Sequence, residues 1–249
     1  MTMTDPKTID EWLTKNTHTT MAEAAAKLHY GPNEQAIAAG DWEKIKNSDP
    51  SYYAAIQTNL HQADSRGVER FAQEIVGNWI IEDIMLKLIN EGKVVQVKCR
   101  LNGADKFRRL LSAKCVTEDP DYEVEIGGRV IRVELITDYS GWWKRHEVIS
   151  LRDRKFNNLS KMNALVLCVD MSDRTFSVFD PANCSAAITT SPEWGNKVCM
   201  NVDCSGFGWM PLGPNAMCRA LKDGMDAKYG PDTSFVYTPE YMAQERTRD

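Results

Sequence analysis

The chain has 249 residues, 43% hydrophobic and 26% charged, which excludes disordered and fibrous classes and leaves room for one large core or a domain with an appendage. No apolar run approaches the roughly 20 residues that span a bilayer. Met1 to Lys15 lacks the apolar stretch of a signal peptide, so a cytoplasmic, intracellular protein with no membrane partner is expected. The net charge of −5 argues against a uniformly basic polyanion binder.

Short helices are predicted over Ile9 to Asn16, Met21 to His29 and Asn33 to Lys46. Thr20 and Glu23 have the spacing of a capping box for the second. The helix pair around Gly31-Pro32 reads either as a helix-turn-helix or as a plain packing module, giving a helical N-terminal region over residues 1–50. Asn47-Ser48-Asp49-Pro50 is a break. A long helical region then runs from Ser51 to about Asn90, interrupted near Ser65-Arg66-Gly67. Phe71, Ile75, Trp79, Ile80, Ile84, Leu88 and Ile89 form its expected buried stripe, and Gly92 its C-terminal stop.

Strands are predicted over Val94 to Cys99, Tyr122 to Ile126 and Arg129 to Ile136. A helix follows over Glu147 to Lys161, then strands over Ala164 to Val169 and Thr175 to Phe179. Residues 51–180 are therefore expected to form an α/β (α+β) core with a mixed sheet flanked by helices. Residues 181–249 read as an irregular extension with one helix near Ala216 to Lys228. The seven scattered cysteines show no CxxC pair and read as structural rather than zinc-binding. There is no GxxxxGK[ST] loop, no GxGxxG after a strand, and no Ser/His or Cys/His constellation around the four histidines.

Gly127-Gly128 between two alternating runs is a strong hairpin signal. A two-residue turn pairs Ile126 with Arg129, Val124 with Ile131, Glu123 with Arg132 and Asp121 with Glu134. One face then carries Tyr122, Val124, Ile126, Ile131, Val133 and Leu135, and the other Asp121, Glu123, Glu125, Arg132, Glu134 and Ile136. Opposed side chains have Cβ atoms about 5 Å apart. Two carboxylates that close repel unless a cation lies between them. Either a metal ion fills the gap, or Arg132 and neighbouring lysines neutralise an acidic edge; Glu123 opposite Arg132 reads as a structural pair.

Pro120-Asp121, twelve intervening residues, and Glu134-Leu135-Ile136 at the end of an apolar strand resemble the PD-(D/E)XK nuclease signature, with the element order of the Holliday-junction resolvase and restriction-endonuclease branch over roughly residues 67 to 180. The resemblance implies a restriction-endonuclease-like core. It implies Asp121, Glu134 and the backbone carbonyl of Leu135 or Ile136 as ligands of Mg²⁺ or Mn²⁺, with Glu82, or alternatively Glu74, as a further acid from the preceding helix. The motif lysine is replaced by Ile136; Lys155 is the first candidate to stand in for it, ahead of Lys144 and Arg132. The implied activity is metal-dependent endonucleolytic hydrolysis of DNA, double-stranded or branched, with a homodimer left open. A catalytically inactive fold that binds nucleic acid or protein and an RNA endonuclease are the alternatives. Arg100, Arg108, Arg109, Lys144, Arg152 and Arg154 are the expected phosphate contacts, unless they form solvated faces. Trp142 and Trp143 read as base-stacking or as core residues.

Overall fold

The computed structural model describes residues 9, 13–14, 18–60, 67–108, 110, 119–191 and 195–232. The chain forms two compact units, one comprising Met1–Met85 with Gly103–Asp119 and the other Leu86–Asn102 with Pro120–Asp249.

The first unit holds α1 (Met21–Lys27), α2 (Pro32–Ala39), α3 (Trp42–Ser48), α4 (Pro50–Asn59) and most of α5 (Val68–Asn90). Thr20 and Glu23 form the expected capping box at α1. The helix predicted over 33–46 is two helices, because Gly40 turns left-handed (φ 69°) and Asp41 restarts the chain by capping the amide of Lys44. Asp49-Pro50 likewise separates α3 from α4. The buried positions of α5 are Ala72, Val76, Trp79, Ile80, Ile81, Met85 and Ile89, whereas Phe71, Ile75, Ile84 and Leu88 are half-buried. Trp79, Ile80 and Ile89 are thus buried as expected, while Ala72, Val76, Ile81 and Met85 rather than Phe71, Ile75, Ile84 and Leu88 complete the buried stripe. A Cβ on Gly77 would come 2.9 Å from Ile9 Cδ1, so this glycine permits a close approach inside the unit.

In the second unit a mixed six-stranded sheet has the order β1-β2-β3-β5-β6-β9, formed by β1 (Val97–Leu101), β2 (Tyr122–Ile126), β3 (Arg129–Asp138), β5 (Leu165–Asp170), β6 (Thr175–Phe179) and β9 (Met210–Pro211). Only β3 and β5 pair in parallel. A parallel neighbour needs a long crossover. Here it consists of α6 (Trp142–His146), β4 (Val148–Arg152) and α7 (Asp153–Lys161). Every residue of β5 is buried, as expected for a central strand covered on both faces.

The helix expected over 147–161 is therefore half strand. Val148 to Leu151 alternates with period two, and β4 joins a second sheet of order β4-β8-β7 with β7 (Ala186–Ser191) and β8 (Lys197–Asp203). The extension expected to be irregular supplies β7, β8, β9 and α8 (Pro214–Tyr229). Ile149, Leu151 and Val202 from the second sheet, Phe156 and Leu159 from α7, and Val166, Cys168 and Phe179 from the first sheet form one apolar cluster. At the end of α5, Gly92 is no left-handed cap. A Cβ there would lie 3.0 Å from Pro214 O and closer still to Cys218 Sγ, so its lack of a side chain lets α8 pack. Asn90 hydrogen-bonds both backbone groups of Cys99, satisfying part of the exposed edge of β1.

Candidate functional site

The Gly127-Gly128 turn has φ values of 58° and 79°, the left-handed pair required by a type I′ turn, and the hairpin adopts the expected register. Tyr122, Val124, Ile126, Ile131, Val133 and Leu135 are all buried. The paired register ends at Tyr122 with Val133; Asp121 immediately precedes β2, and Glu134 follows Val133 on β3. Asp121 is held on two sides. Its carbonyl accepts from Asn102 N at 2.7 Å, and its Oδ2 accepts from Leu135 N at 2.8 Å. Asn102 Nδ2 also donates to Pro120 O at 2.9 Å, clamping the Pro-Asp pair. Asn102 carried no local sequence signal, because its partners lie 18 and 19 residues further along the chain.

Glu134 is 6% exposed, and its Oε1 forms an ion pair with Lys155 Nζ. A buried carboxylate requires a charged partner. Lys155 sits in the first turn of α7, where the helix dipole disfavours a cation. The contact with Glu134 offsets that penalty, while the side chain of Lys155 remains 47% exposed. Ile136 packs against the apolar cluster, so position 136 faces a core in which an ammonium would be stranded.

The other expected acid belongs to the first unit. Glu82 pairs with Arg108 at 2.5 Å, and Arg108 also binds Asp83, which accepts from Tyr30 OH. Arg108 is therefore the cation of a nearly buried network, with its side chain 12% exposed, rather than a surface phosphate contact. Burial opposes the charge on Arg108, but Glu82 and Asp83 overcome it and raise its pKa; burial and Asp83 push the Tyr30 hydroxyl well above its ordinary value. Glu74 pairs with Arg70 on the outer side of α5. Glu123 stands opposite Arg132 of β3 in the expected register, and on its other side it forms an ion pair with Arg100 of β1 at 3.1 Å. Lys144 pairs with Asp173. Arg152 and Arg154 are exposed on either side of the β4–α7 junction, close in sequence to Lys155, and Arg109 lies outside the described residues. Trp142 is exposed and stacks on His146, whereas Trp143 packs against the apolar cluster.

The described cysteines are free thiols. Burial pushes Cys204 and Cys218 up to about 11 and Cys99 up to about 12, which keeps them protonated and poor nucleophiles at neutral pH. Among the described residues no group of three or more His, Cys, Asp or Glu side chains is placed to hold a metal ion. The carboxylates of Asp121 and Glu134 offer hard oxygen atoms, engaged here by Leu135 N and by Lys155 Nζ. They suit Mg²⁺ or Mn²⁺ only if phosphate or water completes the shell. Comparison with protein-family models, with curated proteins and with solved structures returns no match. No helix among the described residues is long and apolar enough to cross a membrane.

Proposed function

We propose that the second unit is a divalent-metal-dependent phosphodiesterase that cleaves DNA, built on a core resembling the PD-(D/E)XK nucleases. Element order supports this reading: within the second unit a three-stranded meander is followed by a crossover of α6, β4 and α7 and then by a strand parallel to the third of the meander. The observation that carries it is the meeting of Lys155 from α7 with Glu134 of β3, beside an Asp121 whose carboxylate is already oriented by Leu135 N.

Asp121, Glu134 and the Leu135 carbonyl would hold Mg²⁺ or Mn²⁺. When bound there, the ion supplies Lewis-acid neutralisation of charge at the scissile phosphate. Lys155, on a flexible stem, exchanges Glu134 for a phosphate oxygen and stabilises the charge that grows on it in the transition state. Arg152 and Arg154 position the phosphate backbone without reading sequence. Glu82, the further acid of the resemblance, is ion-paired to Arg108 within the first unit.

The test is cleavage of duplex DNA, branched DNA and single-stranded RNA with Mg²⁺ or Mn²⁺. Asp121→Ala and Glu134→Ala are expected to abolish cleavage, and Lys155→Ala to lower kcat on the order of 100-fold. Cleavage that survives Glu134→Ala overturns the proposal, and cleavage confined to RNA reassigns the substrate. A second reading, DNA binding without hydrolysis, is favoured by the closed Glu134–Lys155 pair and by the apolar position 136. It predicts salt-sensitive binding and no cleavage with either metal.

A further inference from the structure

The last residues of the two parallel strands, Asp138 of β3 and Asp170 of β5, are register partners. Adjacent strands run about 4.8 Å apart. Both carboxyls are buried, at 8% and 0% exposure. Each starts the same Asp-x-Ser turn: Asp138 Oδ1 accepts from Ser140 N and Oγ, and Asp170 Oδ1 from Ser172 N and Oγ. Their remaining oxygens differ. Asp138 Oδ2 accepts from Trp143 N at 2.9 Å, whereas Asp170 Oδ2 is buried with no hydrogen-bond partner among the described residues.

We propose that Asp170 keeps its proton to a higher pH than an ordinary carboxyl and donates it through Oδ2 to the Asp138 carboxylate, so that an acid–carboxylate pair ties the loop after β3 to the loop after β5. Two ionised carboxylates held side by side in a buried place repel strongly, and a single shared proton removes the repulsion while satisfying the orphan oxygen. The surrounding charges do not replace it. Lys144 of α6 is committed to Asp173 in the β5–β6 turn, and Arg145 Nη1 donates to Ser140 O. Cys168, two residues earlier on β5, is a protonated thiol whose Sγ donates to Ser177 O. Burial pushes the Asp170 carboxyl up from its ordinary value; the Ser172 bonds oppose this, and the charges of Asp173 and Asp138 add to it. The two loops abut, since a Cβ on Gly141 would lie 2.7 Å from Ser172 Oγ. Losing the proton leaves Lys144–Asp173 as the ion pair across them and loosens the start of α6, where Trp143 N is bound to Asp138.

An acid with a raised folded-state pKa favours the folded chain below its unfolded value of roughly 4. That advantage is lost as pH rises through the folded value. Asp170→Asn retains an acceptor for Ser172 and a donor for Asp138 but cannot ionise. In the full chain it is expected to melt roughly 2–4 °C above the parent at pH 8, and at the same temperature as the parent at pH 4. Carbon-13 NMR of the parent's carboxyls is expected to place the Asp170 titration above the ordinary carboxyl value, and it decides the matter even if the variant fails to fold. Three results overturn the proposal: a variant that melts below the parent at pH 8, an offset unchanged between pH 4 and 8, or an Asp170 carboxyl titrating near or below roughly 4. Added Mg²⁺ or Ca²⁺ that raises the parent's melting temperature at pH 8 more than the variant's also overturns it, by showing that a cation occupies the pair.

Discussion

The ammonium of Lys155 is ion-paired to the carboxylate of Glu134, joining the first turn of α7 to the middle of β3. The acid is almost fully buried and the lysine is half exposed, so their dependence is unequal. Lys155→Ala leaves a buried carboxylate without its cation and is expected to destabilise the second unit by about 1–3 kcal/mol. Lys155→Arg, which keeps the charge, should recover most of that loss. Urea unfolding followed by circular dichroism measures both, and an alanine variant as stable as the parent would show that solvent alone satisfies Glu134.

Position 136 supplies a sharper case. Ile136→Lys recreates the motif lysine in sequence but directs an ammonium at the cluster of Ile149, Leu151, Val166 and Cys168. The expected outcome is a loss of stability of about 3 kcal/mol or more with no gain in nuclease activity. Ile136→Val should cost only about 1 kcal/mol. Thermal melts alongside the cleavage assay check both, and a stable, more active lysine variant would contradict the packing argument.

Arg108 holds Glu82 and Asp83 with its side chain 12% exposed. Arg108→Met strands two nearly buried carboxylates and is expected to destabilise the first unit by about 3–5 kcal/mol. Arg108→Lys loses the planar fork and should fall between the parent and the methionine variant. If Arg108 were instead a phosphate contact, the methionine variant would keep its stability and lose DNA affinity, which a melt and a binding titration separate.

Asn102 clamps the segment that presents Asp121. Asn102→Ala removes the side-chain bond to Pro120 O, at a cost of about 1 kcal/mol. It is expected to weaken Mn²⁺ binding several-fold in calorimetry while the unit remains folded. Unchanged affinity would mean that the two backbone amides, of residue 102 and of Leu135, suffice to orient Asp121.

Near-neighbour rules made much of the second unit legible. The glycine pair fixed the turn, the turn set the register, and alternation then sorted Tyr122 to Leu135 by face, as the burial of that face shows. The β4 strand was missed because Val148 to Leu151 runs into a strongly amphipathic helix, and a short apolar run fits either period until a partner strand is present. β7 and β8 were missed because the extension is weakly apolar, and their pairing with β4 is long-range.

The amino-acid sequence by itself determined the hairpin, its register, its inward face and the capping box, because each rests on backbone sterics and contacts set by a turn or a few residues of spacing. Only the tertiary structure decided that Lys155 meets Glu134, that Arg108 binds Glu82, that position 136 faces an apolar layer and that Asp138 lies beside Asp170. Those relations join segments 21 to 32 residues apart, or depend on a second sheet closing over the first, and neither distance nor burial is written in local periodicity.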